Sequence, residues 1–195
     1  SECAYVTDRA IDYVNERGAG ERTGPGWVLS LNYIKPHPPN VCCKPYHDMY
    51  DPATLPVSQL FLEKPAANTP AFNRVRAEFH IAEVEQSYPG DPQAQEAHWR
   101  ELRARYFGNV TVLDRGIGPI LRALEATGQA DNTIVVFTSD HGDSLGDRGM
   151  LGKRSFYDEV SKVPLLMRVP WLAERETRVP GSIGHVDLVP TLLEL

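Results

Sequence analysis

An α/β fold is predicted by three observations on this 195-residue sequence. Apolar stripes of helical period alternate along the chain with short β-branched runs, the pattern of α/β proteins. Two of those runs, residues 27–33 and 134–138, open directly into loops punctuated by proline or glycine. The composition, 42% hydrophobic and 24% charged, is that of a globular domain with enough chain to bury a core. With 26 acidic against 20 basic side chains, the net charge of −6 lacks the clustered basic footprint of a nucleic-acid binder. No apolar run reaches the ~20 residues of a membrane span. Neither nucleic acid nor membrane is therefore expected as a partner.

The first helix is read from Ala4, Ile11 and Val14 with Tyr13 beside them, released near Gly18-Ala19-Gly20. After Gly24-Pro25-Gly26, residues 27–33 (Trp-Val-Leu-Ser-Leu-Asn-Tyr) are dense in strand formers and predict a buried strand. Lys35-Pro36-His37-Pro38-Pro39 then forbids both helix and ladder. It leaves the C-terminal end of the predicted strand, where open α/β sheets place ligands. Residues 41–70 carry scattered prolines and no sustained period, and 41–90 is taken as an irregular, insertion-like segment around a helix at 71–86. Pro89-Gly90-Asp91-Pro92 ends that helix.

Trp99, Leu102, Tyr106, Val110, Leu113, Ile117, Ile120 and Leu124 recur at steps of three or four and predict a long helix closed by Gly128. Gly116, Gly118 and Pro119 are candidate sites for a kink or a division. Residues 134–138 read as a central strand, ending at Ser139-Asp140-His141-Gly142. A glycine-punctuated loop follows to Gly152-Lys153. Residues 163–169 predict another strand, closed by Pro170, and 186–195 a final helix. The chain begins at Ser1 and stops within the apolar run Thr191-Leu192-Leu193-Glu194-Leu195, which has no cap. It is accordingly read as an internal piece of one longer domain.

The three cysteines, Cys3, Cys42 and Cys43, have no metal-ligand spacing and are expected as reduced thiols. Asn109-Val110-Thr111 has the form of a glycosylation sequon but falls inside a helical pattern, so it is expected to be a chance match. The strongest chemical signal is Thr138-Ser139-Asp140-His141-Gly142-Asp143. A carboxylate and a neutral imidazole at a strand end form a partial shell for a divalent cation, and equally a capping Asp beside a satisfied His. Lys153 is either a solvated loop lysine or a positive charge for an oxyanion. His37, bracketed by prolines, is suited to donate a proton to a leaving group.

Together these residues resemble the sulfatases of the alkaline phosphatase superfamily. The resemblance rests on Asn132-Thr133-Ile134-Val135-Val136-Phe137-Thr138-Ser139-Asp140-His141-Gly142-Asp143-Ser144-Leu145-Gly146-Asp147-Arg148-Gly149, then Gly152-Lys153 and Val163-Pro164-Leu165-Leu166. The loop around His37 and the run Val186-Asp187-Leu188-Val189-Pro190-Thr191 fit in order. The Asp-His pair is more similar to the choline-sulfatase and phosphonate monoester hydrolase branches. The resemblance implies a partial alkaline-phosphatase-like sandwich, with a mainly parallel central sheet and flanking helices.

It also implies a formylglycine nucleophile and one divalent cation, calcium or manganese. The histidine ligand draws the choice toward manganese. By position, Asp140 and His141 match metal ligands, Lys153 the lysine on the sulfate and leaving oxygen, and His37 the histidine on the leaving-group side. The substrate class implied is a small-molecule sulfate ester, with a phosphonate or phosphodiester as the alternative and a non-catalytic binding protein as a third reading. Oligomeric state is left open. The nucleophile motif (Cys or Ser, x, Pro or Ala, x, Arg) is absent: Cys42-Cys43-Lys44-Pro45-Tyr46 and Cys3-Ala4-Tyr5-Val6-Thr7 both fail it. The nucleophile and the paired aspartates that complete the metal shell are expected ahead of Ser1.

Overall fold

Helix α1, Glu2–Ala19, buries Cys3, Thr7, Ala10 and Val14, residues spaced by three or four and so stacked on one face. A computed structural model describes residues 2–19, 26–57, 65–172 and 178–195. Gly20, the Gly24-Pro25 punctuation and residues 58–64 of the irregular segment lie outside the described residues.

Helix α3, Pro92–Ala126, is the spine of the chain. Asp91 caps it, Oδ1 accepting from Ala94 N at 3.0 Å, and Pro92 occupies the first turn, where a missing N–H costs nothing. The helix runs on as one element through Pro119, so of the kink or division allowed there the division does not occur. Close packing on α1 explains why small residues gather there. A Cβ at Gly116 would stand 2.7 Å from Thr7 Oγ1, and one at Gly18 would stand 2.5 Å from Thr127 Cβ. Val14, Ala123, Leu124 and Ala130 form the core of this contact, with Ile11, Trp27, Leu29 and Val135 against it. Gln129 ties it off, accepting from Trp27 Nε1 at 3.2 Å and donating to Val14 O at 2.9 Å. The buried residues of α3 also differ from the large-residue stripe. Ala104, Gly108 and Asn109 are buried and Val110 is exposed; at Gly108 the Tyr46 carbonyl leaves no room for a side chain, a Cβ there standing 2.5 Å from it. Asn109 is 2% exposed, which fits a chance sequon.

The buried strand expected at 27–33 is not formed. Trp27, Leu29, Leu31 and Tyr33 are half-buried while Val28, Ser30 and Asn32 face outward, a strand-like alternation. Its inner face rests on α1, through a T-shaped Tyr13–Trp27 contact and a 2.9 Å Thr7–Tyr33 hydroxyl pair. No ladder partner exists for it among the described residues. The described sheet is instead a two-stranded antiparallel pair, β1 (Val135–Thr138) with β2 (Leu165–Arg168), registered Val135 to Arg168 and Thr138 to Leu165. This differs from the mainly parallel sheet expected. The 139–164 connection turns back, through the short helix α4 (Asp158–Ser161), instead of crossing over a sheet face. The chain closes with α5, Leu188–Glu194.

Residues 41–57 are irregular apart from short 3₁₀ turns at Tyr46–Asp48 and Pro52–Thr54. They are hung from α3 by guanidinium groups: Arg105 donates to His47 O, Arg100 to Leu55 O, and Arg103 to Pro56 O at 2.9 Å. Helix α2, Ala71–Ser87, follows and meets the 147–149 turn. A Cβ at Gly149, whose φ is +68°, would stand 2.5 Å from Ile81 Cδ1. Only glycine combines that φ with that approach.

Candidate active site

β1 delivers the chain at Thr138 and the next residues turn sharply. Asp140 Oδ1 accepts from His141 N at 3.0 Å, and Ser139 Oγ donates to His141 O at 2.9 Å. These local bonds engage Oδ1 and leave Asp140 Oδ2 directed at the imidazole of His141. His141 Nδ1 lies 2.8 Å from Gly142 O, a carbonyl that can only accept, so Nδ1 carries a proton and Nε2 is directed elsewhere. Nε2 and Oδ2 face each other across 3.4 Å. With Nε2 protonated the two form an ion pair; with Nε2 bare they are two donors placed to share one cation, and the tethered Nδ1–H is the usual support of a metal-binding histidine. The donor set therefore fits part of a divalent cation shell. Among the described residues no third His, Cys, Asp or Glu joins the pair.

Gly142 fixes where the pair stands. Its N–H donates to Val160 O at 2.8 Å, and a Cβ there would come within 2.0 Å of Glu159 O. Asp143 closes the loop that follows: Oδ1 accepts from Leu145 N at 2.9 Å and from Gly152 N at 3.0 Å. Ser144 N and Oγ both donate to Gly152 O, at 2.9 and 3.0 Å. Lys153 thus belongs to the same hydrogen-bonded assembly as Asp140 and His141. Among the described residues its ammonium meets no acceptor.

Three residues reach the loop from the helices. Arg103 of α3 donates to Leu145 O at 3.1 Å and pairs with Asp147 at 3.0 Å, both side chains being largely shielded from solvent. Tyr106 stands near Asp143, and burial, reinforced by that carboxylate, raises its phenol above the ordinary range. Arg76 of α2 donates to Leu151 O at 2.7 Å and to Lys153 O. Sequence reasoning singled out none of these partners, since each acts over 37 or more positions of separation and no local pattern announces it. Asp143 alone carried a local signal, a short acidic side chain after glycine in a turn-rich stretch.

His37 sits apart in contact terms. It is exposed, its N–H donates to Ile34 O at 3.0 Å, and Nδ1 lies 2.7 Å from Pro38 O. Lys35 Nζ braces the same turn by donating to Val41 O at 2.9 Å. No hydrogen bond or ion pair among the described residues joins His37 to the 138–153 assembly. A hollow of about 400 Å³ lies between residues 65–70 and Arg148 with Tyr157, and contains none of the four candidate residues. Chemistry rather than concavity marks the site. The cysteines are free, as expected; Cys3 and Cys42 are buried, and burial raises both thiols.

A family model described as Sulfatase matches residues 4–195. PehA of Trinickia caryophylli, a multifunctional alkaline phosphatase superfamily protein, is 33% identical over 204 aligned positions, covering 100% of this chain and 38% of its own length. A choline-sulfatase of Rhizobium meliloti is 27% identical over 197 positions, 100% of this chain and 36% of its own. A solved phosphonate monoester hydrolase from Silicibacter pomeroyi superposes with a TM-score of 0.63 at 32% identity, over 88% of this chain and 33% of that one. The chain spans between a third and two fifths of the length of these proteins.

Proposed function

The chain belongs to the sulfatase family, and from that premise we propose that it forms part of the catalytic domain of a sulfuric ester hydrolase acting on a small-molecule sulfate ester. The observation that carries this reading is the Asp140–His141 pair, with Oδ2 and Nε2 across 3.4 Å, fastened through Asp143 to the loop that presents Lys153. In this reading Asp140 and His141 would hold one divalent cation, manganese or calcium, which supplies positive charge for the ester's non-bridging oxygens. A formylglycine outside this chain supplies the nucleophile.

The residues present do the rest. Lys153 brings an ammonium to the oxygen on which negative charge develops as the S–O bond breaks. His37 is braced with Nδ1 donating to Pro38 O, which leaves Nε2 to face the leaving group and, when the ring carries both protons, to deliver one to the departing alkoxide. The remainder of the domain, outside this chain, brings the completing metal ligands and the strands of a mainly parallel sheet. Segment 27–33, alternating in burial and without a ladder partner among the described residues, is suited to join that sheet.

A phosphonate monoester is the second reading, favoured by the 32% identity to the Silicibacter pomeroyi hydrolase. The same charges stabilise either tetrahedral oxyanion. The test is kcat/KM of the full-length protein for an aryl sulfate and for an aryl phosphonate monoester, before and after chelation. Preference for the sulfate, lost on chelation, supports the proposal. Preference for the phosphonate transfers it to the second reading, and metal-independent turnover of both overturns it.

A further inference from the structure

We propose that Arg76 is a positioning residue for Lys153, gripping the main chain on both sides of Gly152 and so setting where the Lys153 ammonium stands. The inference rests on the reading of Lys153 given above. Arg76 lies on α2, in the stretch the sequence marks as insertion-like, 77 positions from the residue it serves. One terminal nitrogen of its guanidinium donates to Lys153 O and the other to Leu151 O, at 2.7 Å.

Two carbonyls two residues apart stand ~6.6 Å from each other in extended chain, too far for one fork. The positive φ of Gly152, +70°, folds the backbone so that a single guanidinium meets both. From the other side Asp143 holds Gly152 N, and Ser144 holds Gly152 O. The main chain of residues 151–153 is thus held from two opposed elements. The ammonium it presents meets no acceptor among the described residues. A fixed stem with an uncommitted charge is what preorganised stabilisation of an oxyanion requires.

Arg76 makes no ion pair with a carboxylate among the described residues. Its guanidinium also stands over the Phe72 ring, Cζ 5.8 Å from the centroid. Its donors go to backbone next to the candidate charge, and Ala77 and Ile81 seat α2 against Gly149 one turn on. Arg76 touches no reacting atom in this scheme and acts through Lys153.

The experiment uses the full-length enzyme and a series of aryl sulfates of graded leaving-group pKa. Arg76→Ala is expected to lower kcat by about ten- to a hundredfold with KM little changed, the range that small misplacements of a catalytic group produce. The loss should grow as the leaving group worsens, as it does for Lys153→Ala, and the double variant should be no slower than Lys153→Ala alone. Arg76→Lys, which keeps the stem and charge but lacks the fork, should show the same trend in smaller degree and covers failure of the alanine variant to fold. Amide hydrogen exchange at residues 151–154 should quicken in both Arg76 variants. Multiplicative losses in the double variant, or a loss equal for all leaving groups, would overturn the proposal. So would unchanged exchange. An undiminished Lys153→Ala enzyme instead overturns the reading of Lys153, and faster exchange in Arg76→Ala would still separate that failure from failure of the grip.

Discussion

Replacing Asp143 probes the loop that joins the metal-ligand pair to Lys153. Its Oδ1 accepts two backbone N–H groups, Leu145 at 2.9 Å and Gly152 at 3.0 Å. Hydrogen bonds to a charged acceptor contribute ~1.5–3 kcal/mol each, against ~1 kcal/mol for neutral ones. Asp143→Asn keeps an oxygen in place and removes the charge, so a loss of about 1 kcal/mol per bond, ~2 kcal/mol in all, is expected. Asp143→Ala leaves both amides without their acceptor in a half-buried loop, at ~1–3 kcal/mol each, and should cost ~4 kcal/mol. The Ser144 bonds to Gly152 O survive either change and keep the loop closed in outline.

Urea unfolding reads the stability, and hydrogen exchange at Leu145 and Gly152 reads the two bonds directly. Tyr106 supplies a second signature. The Asp143 carboxylate helps to raise its phenol, so Asp143→Asn should bring that titration down. Metal affinity should hold in Asp143→Asn, since Asp143 spends Oδ1 on backbone. An Asp143→Ala protein within about 0.5 kcal/mol of the parent would refute the reasoning, because that is the level of an indifferent surface change.

Asp140→Ala should lower both metal occupancy and rate in the full-length protein, whereas Lys153→Ala should keep the metal and lose about a hundredfold or more in turnover, ~3 kcal/mol; metal analysis beside kinetics separates the two. The 195-residue chain alone should release no sulfate from an aryl sulfate with calcium or manganese, and multiple turnovers abolished by Asp140→Ala would contradict this. Stability should fall as pH rises past about 8.5, because the thiols of Cys3 and Cys42 are raised in the fold and the unfolded chain therefore gives up those protons first. Unfolding midpoints that stay level from pH 8 to 10 would refute it, and Cys42→Ala should flatten the decline.

What the sequence made legible was local. Helical period marked α1, α2 and α3, and the β-branched run marked β1 with its Asp-His turn. Segment 27–33 had the composition of a strand, but composition reports suitability for a sheet and not the presence of a neighbour to pair with. Pro119 marked a possible kink or division because the local loss of an N–H is visible in sequence. The close packing on Thr7 of Gly116, three residues before it, is not. At the candidate site, residue type singled out Asp140, His141 and Lys153 with alternatives open, and their proposed roles came from the resemblance to the sulfatases. Arg76, Arg103 and Tyr106 were not singled out, because an arginine on a helix looks the same whether it faces solvent or a carbonyl 77 positions away.

The attachment of residues 41–57 to α3 has a consequence for how this protein can change. Arg100, Arg103 and Arg105 bind main-chain oxygens of Leu55, Pro56 and His47, and a carbonyl is the same group whatever residue carries it. The anchorage is therefore blind to side-chain identity. Exposed positions such as Met49 and Ala53 can exchange their side chains while the path of the chain is held, whereas the three arginines, Tyr50 against Thr111 and Phe107, and buried Leu55 cannot be exchanged without loosening it. Selection, or a designer, has there a rim whose surface is rewritable and whose position is inherited from a helix.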